Sequence, residues 1–338
     1  MFYELGPKRF SIRSTNSRSA KLPSSLLAPE KNGTGTVGEE VKNDAEVQKA
    51  AQNLFEGVAP ERRAELTGLW KRYTPRFNLL TDAGPDGLFV LDAGLFREVR
   101  FNHRAMRAFW LAAFIAWEGY ERIHELVTTD AANFERFNKM LEAFFDMLKA
   151  KDPAAVNLPE GVPEPGIYPD AVEHPFNRAA AELATFATGW ALLHEIRHLQ
   201  HQQEETGAKT DAPAEDKHRE ELSRDEYATA FVFEQVGEYA RTHSANADQL
   251  CRKRQLGIYF AMFAMTLIGA GHWDQSDSHP AMQARIDAAI LQMGSTGTAM
   301  PDAVAHAAFV ALWTRWPDAP GPFKRLTTHQ KICRTEEF

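Results

Sequence analysis

A mainly α fold carrying one small sheet or hairpin is the class this sequence predicts, on three observations. Apolar residues recur at helical spacing through most of the chain, one stretch alone alternates like a hairpin, and no internal repeat is present. The 338 residues are 44% hydrophobic and 25% charged, the profile of a soluble globular protein.

Residues 1–45 hold Ser, Gly, Pro and Lys with few large apolar groups, and the run NGTGTVGEE at 32–40 cannot build a core. This segment reads as a flexible basic tail ahead of a single domain over 46–338. Its first 29 residues carry Lys8, Arg9, Arg13, Arg18 and Lys21 against Glu4 among six serines, a composition somewhat like a transit peptide. No amphipathic face accompanies it, so the expectation is a tail on a cytoplasmic protein.

Val47, Ala50 and Leu54, then Leu66, Leu69, Trp70 and Tyr73, predict two helices interrupted at Pro60. At 87–102, Phe89, Val90 and Leu91 precede a turn expected at Asp92-Ala93-Gly94, and Phe96, Val99 and Phe101 follow it, which predicts the hairpin. Residues 103–128 and 131–150 predict long helices, the first a core helix rich in aromatics (Phe109, Trp110, Phe114, Trp117). The Pro-rich passage 157–170 excludes regular structure and introduces a helix over 177–203. A polar loop at 204–217 precedes helices expected at 218–242, 256–271 and 304–316.

With 38 basic and 46 acidic residues the net charge is −8, which opposes affinity for phosphate backbones; nucleic acid is not an expected partner. The two cysteines, Cys251 and Cys333, exclude a disulfide framework and a Cys-rich zinc module. Residues 256–271 are uncharged, but 16 residues interrupted by Gly257, Gly269 and Gly271 fall short of the roughly 20 that a membrane span needs. A buried helix is expected there, and no membrane partner.

The chemistry concentrates in GWALLHEIRHLQHQ, where His194-Glu195-Ile196-Arg197-His198 forms an HExxH pattern inside a predicted helix. At about 100° per residue the two histidines lie about 40° apart, so both imidazoles can reach one zinc ion with Glu195 beside its open position. Leu192, Ile196 and Leu199 fall on the opposite face and anchor the helix, while the small Ala187 is expected to leave room on the metal side. His201 shares the histidine face one turn further on, a rim or supporting position, and Arg197 reads as structural or rim charge. Two histidines are one protein ligand short of a catalytic zinc site. Glu221 and Asp225 supply two acids four residues apart on the next helix, one to ligate zinc and one to accept a ligand histidine's free N–H. The same acids would also suit a plain helix N-terminus.

HExxH followed by ExxxD resembles the gluzincin metallopeptidases, whose third ligand is a glutamate on a second helix. SHPAMQARI at 278–286 is similar to the HPxxxxRI segment of M48-type members, which often carry membrane helices. The wording around the motifs is closest to the soluble phage-exclusion proteases of the Lit type, peptidase U49. That resemblance implies a zincin-like fold, one Zn²⁺ per chain, a protein or peptide substrate, and elongation factor Tu as that substrate in an abortive response to phage. It also brings His279 and Arg285 to the site as donors to the developing oxyanion, although a histidine before a proline is also an ordinary surface residue. Glu221 is expected to be the third ligand because its arm is longer than that of Asp225, which is placed to support a histidine; Glu220 and Glu226 should point away and be solvated. Glu195 is the expected general base. Other readings are a general or regulatory zinc peptidase, a metal-binding module without protease activity, and a helical protein in which HExxH is coincidental.

Overall fold

The structure is a computed structural model that describes residues 44–77, 89–93, 98–294 and 299–323. The expected tail lies outside the described residues except for its last two, and so do Cys333 and residues 94–97 of the hairpin. Among the described residues the fold is mainly α, with a single two-stranded antiparallel sheet. No helix among them is long and apolar enough to cross a membrane.

Helices α1 (Asp44–Gly57) and α2 (Arg63–Tyr73) are separated by a 3-10 turn at Pro60–Arg62, where the proline occupies a first-turn position that needs no N–H. Strands β1 (Leu91–Ala93) and β2 (Val99–Phe101) pair Leu91 with Phe101, Asp92 with Arg100 and Ala93 with Val99. Asp92 and Ala93 are therefore strand residues and not the turn that the sequence predicts. A cross-strand ion pair explains the difference, since both oxygens of Asp92 accept from Arg100 at 2.7 Å. On the far side of β2, Arg76 bridges to it through its backbone, so among the described residues β2 is flanked and β1 is the edge.

Asn102 caps α3 (His103–Thr129) by accepting the Ala105 N–H at 2.9 Å, and α3 is buried on every side over its first four turns. It packs against α4 (Glu135–Lys149), α5 (Pro175–Glu204), α8 (Ala247–Ile268) and α10 (Ala299–Trp313). Pro175 opens α5, which lies against α1, α3, α8 and α6 (Ala214–Phe233). The α5–α8 crossing is close because Gly257 has no side chain; a Cβ there would stand 2.2 Å from the Cβ of Phe186. A Cβ on Gly189 would likewise stand 2.5 Å from the Cβ of Val58. Residues 256–268, within α8, form the buried apolar helix that their composition predicts.

Several boundaries differ from expectation: α4 starts at 135 and not 131, and α10 covers 299–313 and not 304–316. The helix predicted to run to residue 242 stops at Phe233 and restarts as α7 (Val236–Thr242). Arginine side chains take the carbonyls that would continue it: Arg62 donates to Phe231 O at 3.2 Å and Arg254 donates to Val232 O. The polar connection is only 205–213, because Glu215 and Asp216 serve as the acidic first turn of α6. Finally, the SHPAMQARI segment runs from the connection before α9 (Met282–Met293) into its first turns, and α9, a helix the sequence did not predict, buries Met282, Ile286, Ala289 and Met293 on one face.

Candidate active site

Helix α5 presents His194 and His198 one turn apart, and α6 brings Glu221 against them. One donor atom from each of these three residues lies within 4.8 Å of the other two, the arrangement a metal ion requires. Glu221 Oε2 is 3.3 Å from His194 Nε2, and Glu221 Oε1 is 3.5 Å from His198 Nε2. Two imidazoles and a carboxylate match the donor chemistry of a zinc-type site, so the residues fit such an ion.

Asp225, one turn beyond Glu221, accepts from His194 Nδ1 at 2.8 Å. An ionised carboxylate only accepts, so Nδ1 carries a proton and Nε2 is the nitrogen turned toward the site. Arg285 from α9 grips both oxygens of Asp225, Nε at 2.8 Å and Nη2 at 2.7 Å. The Arg285 side chain thus lines the site from behind its supporting carboxylate, and its charge holds Asp225 well below the usual carboxylate range against the effect of burial.

Burial dominates the remaining electrostatics. It would push His194 down, but hydrogen bonds to Asp225 and Glu221 together with the charges of Asp225 and Glu195 prevail and raise its pKa to about 9. His198 is pushed below its ordinary value by burial, despite its bond to Glu221. Glu221 is buried too, yet the two histidines and Arg224 hold it far below the usual range. Burial raises Glu195 to about 7, against the pull of His194, Arg224 and Arg285. A carboxylate poised there, with Oε1 4.0 Å from His194 Nε2, suits a base working near neutral pH.

These groups open onto a cavity of ≈ 1340 Å³ that is also lined by Trp190 and Ala191 of α5 and by Leu91, Asp92 and Ala93 of β1. Ala191, and not Ala187, borders the space; Ala187 is wholly buried, two turns below His194. His279 lines the same cavity from the α8–α9 connection, more than half exposed, with Nε2 3.7 Å from Glu221 Oε1 and Nδ1 2.8 Å from Ser278 Oγ. His201 is held by Thr206 and Ser223, a supporting position as expected. Arg197 stacks over Tyr227 and bonds Gln200 and Glu204, a structural role.

Glu220 departs from expectation. It is not solvated: it accepts the Ala208 N–H at 2.5 Å and an Arg224 N–H, and its Oε1 is 3.7 Å from His198 Nδ1. The 205–213 connection folds back over this side chain and removes it from water. Glu226 is exposed, as its helical position predicts. Sequence reasoning also missed Arg224, whose buried guanidinium touches His198, Glu221 and Glu220. Its i+3 spacing from Glu221 placed it on the ligand face and was the available signal.

The family model for peptidase U49 matches residues 99–307, which span every one of these groups from α5 to α9. The chain belongs to the peptidase U49 family. Comparison with curated proteins and with solved structures gives no match. Membership in peptidase U49 makes the chain a peptidase acting on a protein substrate, and within the U49 region His194, His198 and Glu221, which line the cavity with Glu195, are a group that could hold a metal ion.

Proposed function

We propose that this U49 peptidase is a zinc-dependent endopeptidase of the cytoplasm. The convergence of His194, His198 and Glu221 on one point, with Glu195 beside it in the same cavity, carries this reading. Bound there, zinc would polarise a carbonyl and acidify a water. Glu195 accepts the proton of the attacking water and returns it to the leaving nitrogen, work for which a buried carboxyl near 7 is well matched. Asp225 fixes the ring of His194 with Nε2 outward, and Arg285 fixes Asp225. His279, whose Nε2 stands 3.7 Å from Glu221 Oε1, is the donor to the tetrahedral oxyanion.

The substrate enters as an extended strand along β1. Among the described residues no strand pairs with the outer edge of β1, and that edge borders the cavity. The likeness to the Lit-type proteases makes elongation factor Tu the substrate and phage exclusion the setting. The reading is tested by incubating wild-type and Glu195→Gln protein with bacterial lysate and comparing fragments by mass spectrometry. A new fragment of elongation factor Tu made by the wild type alone is expected; identical fragment profiles would refute the activity, and fragments of other proteins alone would refute the substrate.

A further inference from the structure

Arg224 is almost wholly buried, and its guanidinium stands on the donor set itself. Nη1 contacts His198 Nε2 and lies 2.5 Å from Glu221 Oε1; Nη2 contacts Glu220 Oε1. Its Nε, also buried, has no hydrogen-bond partner. Two of the three residues that would hold the metal therefore already face a fixed positive charge. Glu220 is a second anchor for the guanidinium, at Nη2, and is itself held by the Ala208 N–H of the 205–213 connection at 2.5 Å.

A guanidinium does not deprotonate in proteins and has no lone pair to offer a cation. In a buried site its charge repels a divalent ion far more than it would in water. Nη1 and a metal ion accordingly compete for His198 and Glu221. We propose that Arg224 is an internal cation that occupies these donors in the metal-free chain and yields them on metal uptake by withdrawing onto Glu220. This rests on the zinc reading above and adds to it a control on affinity: the enzyme binds its metal more weakly than its ligands alone would allow. A guanidinium that merely oriented Glu221 for the metal would have the opposite effect on affinity, which makes the two roles separable.

The test titrates zinc into the metal-free full-length chain in competition with a chromogenic chelator, with thermal melts and circular dichroism recorded with and without zinc. Arg224→Gln should lower the zinc Kd by about tenfold or more, the scale expected from removing one buried like charge. The metal-free variant should melt below metal-free wild type, because Glu220 and Glu221 lose their shared cation, and its zinc-induced rise in Tm should be larger. Glu220→Gln should raise the Kd by removing the place of withdrawal, and should have no such effect in the Arg224→Gln background. If Arg224→Gln does not fold, Arg224→Met carries the test: it keeps an unbranched stem and removes the charge, so the Kd must still fall. An equal or higher zinc Kd in a folded Arg224 variant overturns the inference alone. Wild type and variant both failing to take up zinc overturns the metal reading, and this inference with it.

Discussion

Asp225 Oδ1 stands 2.8 Å from His194 Nδ1, joining side chains 31 residues apart on two helices. This bond settles which nitrogen of His194 faces the cavity. It also separates the roles of two acids that sequence alone could have exchanged, because Glu221 Oε2 lies 3.3 Å from Nε2, on the side where a metal would be held.

The separation predicts graded losses. Glu221→Ala should abolish tight zinc binding, whereas Asp225→Ala should weaken it by about 10- to 100-fold, the usual cost of losing a supporting hydrogen bond to a ligand. Chelator competition on both variants checks this. A metal-free Asp225→Ala beside a normally loaded Glu221→Ala would reverse the assignment.

Glu195→Gln should keep stoichiometric metal and lose about 10²- to 10⁴-fold in turnover, because the amide preserves volume and cannot accept a proton. Metal content by emission spectroscopy and rate on a cleavable substrate are the paired measurements. A residual rate above about one hundredth of wild type would assign the proton transfer elsewhere.

Much of the site was legible because its signals are local. HExxH places His194, Glu195 and His198 by the period of one helix, and ExxxD places Glu221 and Asp225 by the period of another. The apolar face behind the histidines was equally readable, with Leu192, Ile196 and Leu199 all fully buried. What escaped depends on contacts distant in sequence. Arg285 meets Asp225 across 60 residues, Arg62 takes the carbonyl of Phe231 across 169, and Glu220 is covered by a backbone N–H 12 residues earlier. Nothing in local spacing says that a polar loop will fold back over a glutamate, or that a helix will end because arginines from elsewhere claim its carbonyls. Arg224 is different: its helical position was available, and its role depended on knowing that the face it shares is closed.

The packing that holds α5 in place gives a prediction away from the chemistry. Gly257→Ala forces a methyl to within 2.2 Å of Phe186 Cβ, a backbone-proximal atom that cannot swing aside, so α5 and α8 must separate. Destabilisation of about 1–3 kcal/mol or more is expected in urea unfolding. Gly68→Ala, where a Cβ meets nothing within 4 Å, is the control and should not destabilise.

His103 supplies a pH dependence. Burial, aided by the Arg107 charge and opposed by Asp152, lowers its pKa from 6.5 to about 4, and its Nδ1 has no partner. The unfolded chain therefore binds a proton that the folded chain refuses. Stability is full above about pH 6.5 and declines as the pH falls toward 4. His103→Gln removes this term, so its stability relative to wild type should rise by on the order of 2 kcal/mol between about pH 7 and pH 4.5. Urea melts of both proteins at the two pH values measure it, and a pH-independent difference would show that His103 does not titrate in this range.

Arg285 gives the sharpest contrast between a group that meets the reacting atoms and one that positions another. Sequence resemblance brought both His279 and Arg285 to the oxyanion, but Nε and Nη2 of Arg285 are committed to the two oxygens of buried Asp225, while His279 is more than half exposed beside Glu221. Arg285→Gln leaves Asp225 as an uncompensated buried charge, a change that typically costs about 3–5 kcal/mol. It also frees Asp225 to turn away from His194, so zinc affinity should fall with stability. His279→Ala removes only a bond to exposed Ser278 and a 3.7 Å approach to Glu221, so it should leave stability and metal content nearly unchanged while slowing turnover by about 10²- to 10³-fold, the range for removing one oxyanion donor. Measuring urea stability, zinc Kd and kcat on both variants separates the roles. If Arg285→Gln lost only kcat, with stability and zinc affinity intact, the guanidinium would have to leave Asp225 during the reaction and act on the substrate itself.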